Sequence, residues 1–380
     1  MPISMNKKTK ICLLGSEDAY KRIGLAKLLS NQNFDVTIMG THPFDCPENI
    51  RFLKYDLNRS LNFFSDLKTV FQYKSIFRHE RFDIIQTFDT KPAFLAPLAF
   101  SSPNTKIVRT ITGLGTIFMS NALKYKILRT IYSILHTLVK NKVSHTTFQN
   151  EDDRGFFLKK KLVTTQNSSL IYGSGIDLEL FSKYAKKETD VFTFICIGRL
   201  VYEKGIINYL EAAKSCIDSG HDYRFLLVGP LEENSKRLNA QILKEYSEYV
   251  DWMGPQKNIP ELLQNSDVFV LPTFREGFSR VLLEASALKI PSITSNVPGT
   301  REIIRDQKEG LLIPVNNSKA LSEAMIQMAS DSSSYGKYGE NARKHVNQFS
   351  LKNITDAYIE LYNQLLQFDK SINPIKPEYS

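Results

Sequence analysis

The sequence predicts an α/β protein built from two doubly wound, parallel-sheet domains of Rossmann type. Short apolar runs alternate with helical patterns nearly throughout, and the pattern breaks once near the middle into two halves, each the size of one such domain. A chain of 380 residues is also too long for one ordinary core.

In the first half, strands are expected at Lys10–Gly15, Val36–Gly40, Asp83–Thr87, Lys106–Thr110, His145–Phe148 and Leu170–Tyr172. Helical patterns fall between them at Ala19–Ser30, Leu61–Glu80, Ala93–Phe100, Leu123–Lys140 and Glu151–Lys160. The second half restarts with a strand at Phe192–Gly198 and continues at Phe225–Gly229, Val250–Met253, Val268–Pro272, Ser292–Thr294 and Gly310–Pro314. Its helices are expected near Ile206–Ser219, Asn234–Ser247, Arg280–Leu288 and Ala320–Ser330. Strand–helix alternation of this kind implies parallel sheets covered on both faces. Gly173, Ser174 and Gly175 interrupt the pattern, and Tyr184–Thr189 is polar and lysine-rich, so the boundary is drawn at 175/176. The expected divisions are 1–175, 176–350, a final helix over 351–368 and a flexible tail over 369–380. Two such domains facing each other leave a cleft at the C-terminal ends of their strands.

Composition narrows the function classes. With 42% hydrophobic and 23% charged residues the chain reads as a soluble globular protein. No apolar run approaches the ~20 residues that cross a bilayer, and the basic N-terminus runs straight into a strand, so a cytoplasmic protein without a signal peptide is expected. Cys12, Cys46, Cys196 and Cys216 are widely spaced, form no metal-ligand pair and read as reduced thiols. The net charge of +9 calls for an anionic partner, but neither zinc-finger spacing nor an RNA-recognition signature is present, so nucleic acid is not expected. Part of the excess lies between Asn121 and Lys142, where Lys124, Lys126, Arg129, Lys140 and Lys142 occur without an acid. Leu128, Ile131, Leu135 and Leu138 recur there at helical spacing, giving a basic amphipathic helix. It is either an ordinary packing helix with a solvated rim or a contact with an anionic membrane surface.

Two constellations can carry chemistry. In Pro272-Thr273-Phe274-Arg275-Glu276-Gly277-Phe278-Ser279-Arg280, a strand ends, a loop follows, and a helix begins near Ser279 and carries Glu284. A helix N-terminus is a natural seat for pyrophosphate. Carboxylates on either side of it, Glu276 before the helix and Glu284 more than a turn inside, can accept hydrogen bonds from the hydroxyls of a sugar and a ribose. By themselves two glutamates also fit a surface helix with scattered acids. The second constellation is Gly198-Arg199-Leu200-Val201-Tyr202-Glu203-Lys204-Gly205, a strand-to-helix loop. Two cations placed there, Arg199 and Lys204, can neutralise a departing diphosphate.

Together with Val297-Pro298-Gly299 and Glu309-Gly310-Leu311-Leu312, these blocks resemble, from about Phe192 to Leu366, the family 4 retaining glycosyltransferases of the GT-B fold. The resemblance implies that Arg199 and Lys204 hold the donor pyrophosphate, Glu276 reads the transferred sugar and Glu284 the ribose. It also implies that the backbone of Gly277, Phe278 and Ser279 approaches the donor beside Gly198, that the first domain binds the acceptor, and that a terminal helix crosses back onto it. In the first half, Thr90-Lys91-Pro92 and Arg109-Thr110-Ile111-Thr112-Gly113-Leu114-Gly115 look like the subset that builds bacterial surface polysaccharide on a polyprenyl-diphosphate carrier. On that likeness Gly15, Lys91, Thr112 and Gly113 fall on the acceptor side. Many members carry a histidine where Thr112 stands, so a role for that histidine does not transfer. Gly15 and Gly24 lack the G-x-G-x-x-G spacing of dinucleotide sites.

No D-x-D pair offers a handle for a divalent metal, no histidines pair as ligands, and Ser174 lacks the spacing of a nucleophile elbow. The expectation is a metal-independent transferase that moves a hexose or N-acetylhexosamine from a UDP-sugar to a lipid-linked saccharide at the inner membrane face. A UDP-sugar epimerase of the same fold and a non-catalytic assembly protein are the alternatives.

Overall fold

The computed structural model describes residues 8–58, 60, 62–99, 102, 104–119, 122–188, 190–232 and 237–372. Among these, one compact unit holds 8–117, 122–175 and 351–372, and the other holds 118–119 and 176–350. Residues 369–372 of the tail expected over 369–380 continue the last helix; the rest of that tail and the first residue of the basic stretch, Asn121, lie outside the described residues.

The first unit runs β1 (Thr9–Leu14), α1 (Ile23–Asn31), β2 (Phe34–Gly40), β3 (Arg51–Lys54), α2 (Phe63–Glu80), β4 (Ile84–Thr87), α3 (Pro92–Ala99), β5 (Lys106–Ile111), α4 (Leu123–Val139), β6 (His145–Phe148), α5 (Glu151–Lys159) and β7 (Ser168–Leu170). Its strands are parallel in the order β3-β2-β1-β4-β5-β6-β7. Both sheet faces are buried, as the continuous apolar strands require. Ile11 and Leu13 of β1 point into a core with α1, whereas Cys12 and Leu14 point into one with α2 and α3.

The second unit runs α6 (Leu178–Ser182), β8 (Phe192–Ile197), α7 (Ile206–Asp218), β9 (Tyr223–Val228), α8 (Ala240–Glu245), β10 (Asp251–Trp252), α9 (Ile259–Gln264), β11 (Val268–Leu271), α10 (Arg280–Ala287), β12 (Ser292–Ser295), β13 (Gly310–Ile313), α11 (Ser318–Ser330) and α12 (Ser332–His345). Its sheet is parallel in the order β10-β9-β8-β11-β12-β13. Phe194, Cys196, Phe225 and Val270 face the core that α7 and α11 cover.

The chain then returns: α13 (Leu351–Ile372) belongs to the first unit, where it packs against α1. Ile354, Tyr358, Leu361 and Tyr362 are buried on one helical face. Thr110 Oγ1 lies 3.2 Å from the Tyr358 hydroxyl, and the Tyr362 hydroxyl donates to Gln86 Oε1 at 3.2 Å. The helix is therefore tied to β5 and β4 by buried polar contacts as well as by area.

Several elements differ from expectation. β3 escapes prediction because an edge strand with Arg51 and Lys54 at its ends is half-exposed. α12 escapes because SSSYGKYGENARKH is polar and carries two glycines; the Asp331 side chain caps it by accepting from Ser334 N at 3.1 Å. The first helix opens as a 3₁₀ turn over Glu17–Arg22, and β7 sits two residues earlier than expected.

α4 divides the apolar row expected at helical spacing. Tyr132, His136 and Val139 are buried with Leu135 half-buried against the same core and Leu128 half-buried, whereas Ile131 and Leu138 face out. Leu123, Ile127, Ile131, Ile134 and Leu138 form an apolar stripe facing out, between 44% and 73% exposed. At ~100° per residue, Lys124 and Lys126 flank that stripe on either side. The five thiol and imidazole groups nearest the cores are inert: Cys12, Cys196 and Cys216 are buried and unbridged, while burial holds His136 and His145 neutral well below the ordinary imidazole range.

Candidate functional site

In the second unit the connections leave β8 for β9 on one side and β11 for β12 on the other, so the sheet's switch point lies between β8 and β11. Ligands of doubly wound sheets bind outside the carboxyl ends of the strands at that point. The two loops there are residues 198–205 and 272–279, the segments that sequence singles out.

Backbone contacts lace the two loops together. Phe274 N donates to Glu203 O at 2.8 Å, and Thr273 Oγ1 donates to the same carbonyl at 3.2 Å. Gly205 is obligatory: its φ is +69°, and a Cβ there would lie 1.9 Å from Pro272 O. A third loop closes on the second by the same device. Gly299 has φ +82°, with Gly277 O 2.5 Å from where its Cβ would stand, and Ser279 N donates to Gly299 O at 3.1 Å. Glu276 N in turn donates to Pro298 O at 3.3 Å. Val297-Pro298-Gly299 thus clamps the Glu276–Ser279 loop from the far side.

This lacing brings Lys204 and Glu276 into direct contact, Nζ donating to Oε1. Both are largely withdrawn from solvent, the lysine 23% and the glutamate 13% exposed. Arg199 goes elsewhere: its guanidinium bonds Glu232 Oε1 at 2.6 Å in an exposed pair. The two expected diphosphate cations therefore differ in kind, one fixed at the switch point and one on a surface ion pair worth ~0–1 kcal/mol. Cys196, at the end of β8, has its thiol pushed up to about 12 by burial, against the opposing pull of the Lys204 charge.

Ser279 caps α10, its side chain accepting from Leu282 N. Glu284 lies on α10, buried, with Arg280 Nε donating to its Oε1 at 3.0 Å. Gly277 and Phe278 are half-buried in the loop at the helix start, and Gly198 follows β8 with its N–H bonded to Val228 O. Glu309, in the Glu309-Gly310 block, is fully buried and receives the Arg305 side chain and Arg305 N, the latter at 2.8 Å. That block shapes the turn before β13. Among the described residues no group of three or more His, Cys, Asp or Glu is arranged to hold a metal.

In the first unit the switch point falls between β1 and β4. Gly15 ends β1, its N–H bonded to Met39 O and its carbonyl accepting from the Tyr55 hydroxyl at 2.6 Å. Beside it, Asp89 Oδ2 accepts from Ser16 N at 2.9 Å and from Ser16 Oγ at 2.7 Å, a join that sequence reading missed. Lys91 is at the same edge, but its ammonium is engaged: it donates to Asn58 O, Ser60 O and Asp66 Oδ1 at 2.7, 2.7 and 2.5 Å. Thr112 and Gly113 stand in the loop after β5, half-buried, with Gly113 at φ +136°.

Both units match known protein families. Residues 177–345 match the family described as glycosyl transferases group 1, and residues 10–147 match glycosyl transferase 4-like proteins. The chain is 26% identical over 384 residues to the UDP-Gal:alpha-D-GlcNAc-diphosphoundecaprenol alpha-1,3-galactosyltransferase of Escherichia coli, covering 94% of this chain and 98% of that one. It is 27% identical over 333 residues to the N,N'-diacetylbacillosaminyl-diphospho-undecaprenol alpha-1,3-N-acetylgalactosaminyltransferase of Campylobacter jejuni, covering 84% and 87%. The sucrose-phosphate synthase structure from Thermosynechococcus elongatus superposes with a TM-score of 0.80 at 19% identity, over 95% of this chain and 100% of that one. No described helix is long and apolar enough to cross a membrane.

Proposed function

As the chain belongs to the group 1, family 4-like glycosyltransferases with the GT-B fold, we propose that it moves a hexose or N-acetylhexosamine from a UDP-sugar to a polyprenyl-diphosphate-linked saccharide in bacterial surface-polysaccharide synthesis. The observation that carries this reading is the Lys204–Glu276 contact at the switch point of the second unit. A fixed cation beside a fixed carboxylate offers one group for a diphosphate and one for sugar hydroxyls. Arg199 is the second diphosphate cation and gives up only a weak surface pair to reach it. Glu284 accepts from the ribose hydroxyls, and the backbone of Gly277, Phe278 and Ser279 approaches the donor.

The acceptor hydroxyl oxygen bonds to the anomeric carbon on the face that UDP leaves. The bond from that carbon to the diphosphate oxygen breaks, its electrons remain on the phosphate oxygen, and that oxygen takes the hydroxyl proton. Lys204 and Arg199 lower the barrier by neutralising the charge that builds on the leaving diphosphate, with no metal in the step. The acceptor is lipid-linked, and the outward stripe of α4 with its flanking lysines suits a protein held peripherally on the anionic inner face of the cell membrane. The test is UDP release with and without a polyprenyl-diphosphate-sugar acceptor, in EDTA. Release only with acceptor is expected; a strict requirement for Mn²⁺ or Mg²⁺ overturns the metal-free step.

A further inference from the structure

A third connection, from β9 to α8, runs along the loop 198–205 at the switch point of the second unit; its described residues are 229–232 and 237–239. Gly229 opens it at φ +143°, so close to that loop that a Cβ would stand 1.7 Å from Gly198 O. Leu200 N donates to Pro230 O at 2.9 Å, and Glu232 takes the Arg199 guanidinium. At the far end Leu238 is buried in the core and the Asn239 side chain caps α8, accepting from Ile242 N at 3.0 Å. Arg237 is therefore held from behind by two fixed residues.

The Arg237 side chain goes to an aromatic ring. Its guanidinium carbon lies 4.5 Å from the centroid of the Tyr202 ring, well inside the ~6 Å reach of a cation–π contact. The same tyrosine meets Phe274 edge-on, the ring centroids 5.2 Å apart and the planes at 90°. Tyr202 and Lys204 share one 3₁₀ turn, in which Lys204 N donates to Val201 O and Gly205 N to Tyr202 O, both at 3.0 Å. Phe274 stands two residues before Glu276, in the loop whose backbone is tied to Glu203 O. The Arg237–Tyr202–Phe274 stack thus joins the two segments from which Lys204 and Glu276 meet, and the tyrosine makes both contacts with its ring.

We propose that Tyr202 and Arg237 are positioning residues of the donor site, fixing the turn that carries Lys204 so that its ammonium meets the phosphates of UDP in the place Glu276 sets. Both act through Lys204, and neither is assigned a contact with the sugar or the base. A cation placed before the ligand arrives stabilises phosphate charge without reorganising. On an untethered turn the same lysine would lose side-chain freedom at each encounter. The proposal rests on the reading of this site as a UDP-sugar site and narrows it to the phosphates: the stack matters for UDP and not for uridine.

The test titrates the full chain with UDP and, separately, with uridine, alongside melting curves. Arg237→Gln should weaken UDP binding roughly fivefold, ~1 kcal/mol for a stacked cation. Tyr202→Ala should weaken it more than about tenfold, because the Phe274 contact goes too. Uridine affinity and the thermal midpoint should stay at their wild-type values. Tyr202→Phe and Arg237→Lys keep the stack and should bind UDP as wild type does. Tyr202→Ala combined with Arg237→Gln should be no weaker than Tyr202→Ala alone, since both remove one contact. An additive loss in that double variant overturns the stack. Equal weakening of UDP and uridine, or a midpoint that falls in step with affinity, makes the two residues general supports of the fold and overturns the positioning role. Tyr202→Phe as weak as Tyr202→Ala assigns the effect to the hydroxyl and overturns it as well. A wild type that binds no UDP overturns the donor reading itself and this proposal with it, whereas variants indistinguishable from a UDP-binding wild type overturn this proposal alone.

Discussion

Replacing Lys204 with alanine separates two roles that one contact combines. In the resting protein Lys204 neutralises Glu276, which is only 13% exposed. Its removal leaves a partly buried carboxylate without its cation, at a cost of ~1–3 kcal/mol. For a unit of this size that is a fall in Tm of roughly 2–12 °C. In the proposed transfer the same ammonium would face the leaving diphosphate, and losing one such group costs ~3 kcal/mol, about 100-fold or more in turnover. Arg199→Ala is the control. Its pair with Glu232 is 66% and 50% exposed, so Tm should hardly move, while turnover falls by a similar factor. Adding Glu276→Gln to Lys204→Ala removes the orphaned charge and should restore Tm without restoring turnover. Melting curves and steady-state kinetics on the four proteins decide the matter. If the double variant regains turnover together with stability, Lys204 is only a structural partner of Glu276 and the diphosphate role fails.

Three further outcomes follow from the same geometry. Glu284→Ala should weaken UDP binding by at least ~1.5 kcal/mol, from a charged hydrogen bond to the ribose; unchanged calorimetric UDP affinity removes that assignment. Lys124→Glu with Lys126→Glu, which flank the outward stripe of α4, should release the protein from anionic vesicles in low salt and leave its melting unchanged. Retention on the vesicles returns α4 to ordinary surface. Acid should destabilise the first unit through His145, whose folded value burial first, and then the Arg154 charge, lower from 6.5 to about 4. Because the unfolded chain takes the proton first, this stability is complete above about pH 6.5 and is lost as pH falls towards 4, by roughly 3 kcal/mol. His145→Gln should flatten that slope in denaturant titrations; a slope identical to wild type places the titration in other groups.

The sheets were legible because their strands are apolar on both faces, and residues such as Ile11 and Cys12 are core whichever way they point. Elements stabilised from outside their own sequence were not. β3 is an edge strand that gains its place by pairing with β2, and α12 is polar along its length. Periodicity gave α4 as a helix but not its orientation, since two apolar rows compete and the bulkier pattern of Tyr132, His136 and Val139 takes the core. At the switch point, residue types and spacing were enough to single out Lys204 and Glu276. They could not reveal that Arg199 turns to Glu232, a partner 33 residues away, or that Lys91 is held by two backbone carbonyls as well as by Asp66. Backbone acceptors leave no mark in a sequence.

In the proposed reaction this chain joins a sugar from UDP to a lipid-linked saccharide. It is tested most directly by offering UDP-GlcNAc, UDP-GalNAc, UDP-galactose and UDP-glucose in turn with a short polyprenyl-diphosphate-sugar, in EDTA, and following the lipid product by mass and the anomeric proton by NMR. One of these donors should add a single sugar to the lipid, with one UDP released per product and the anomeric configuration of the donor retained. A donor converted to an isomeric UDP-sugar without any acceptor, or a product of inverted configuration, contradicts it.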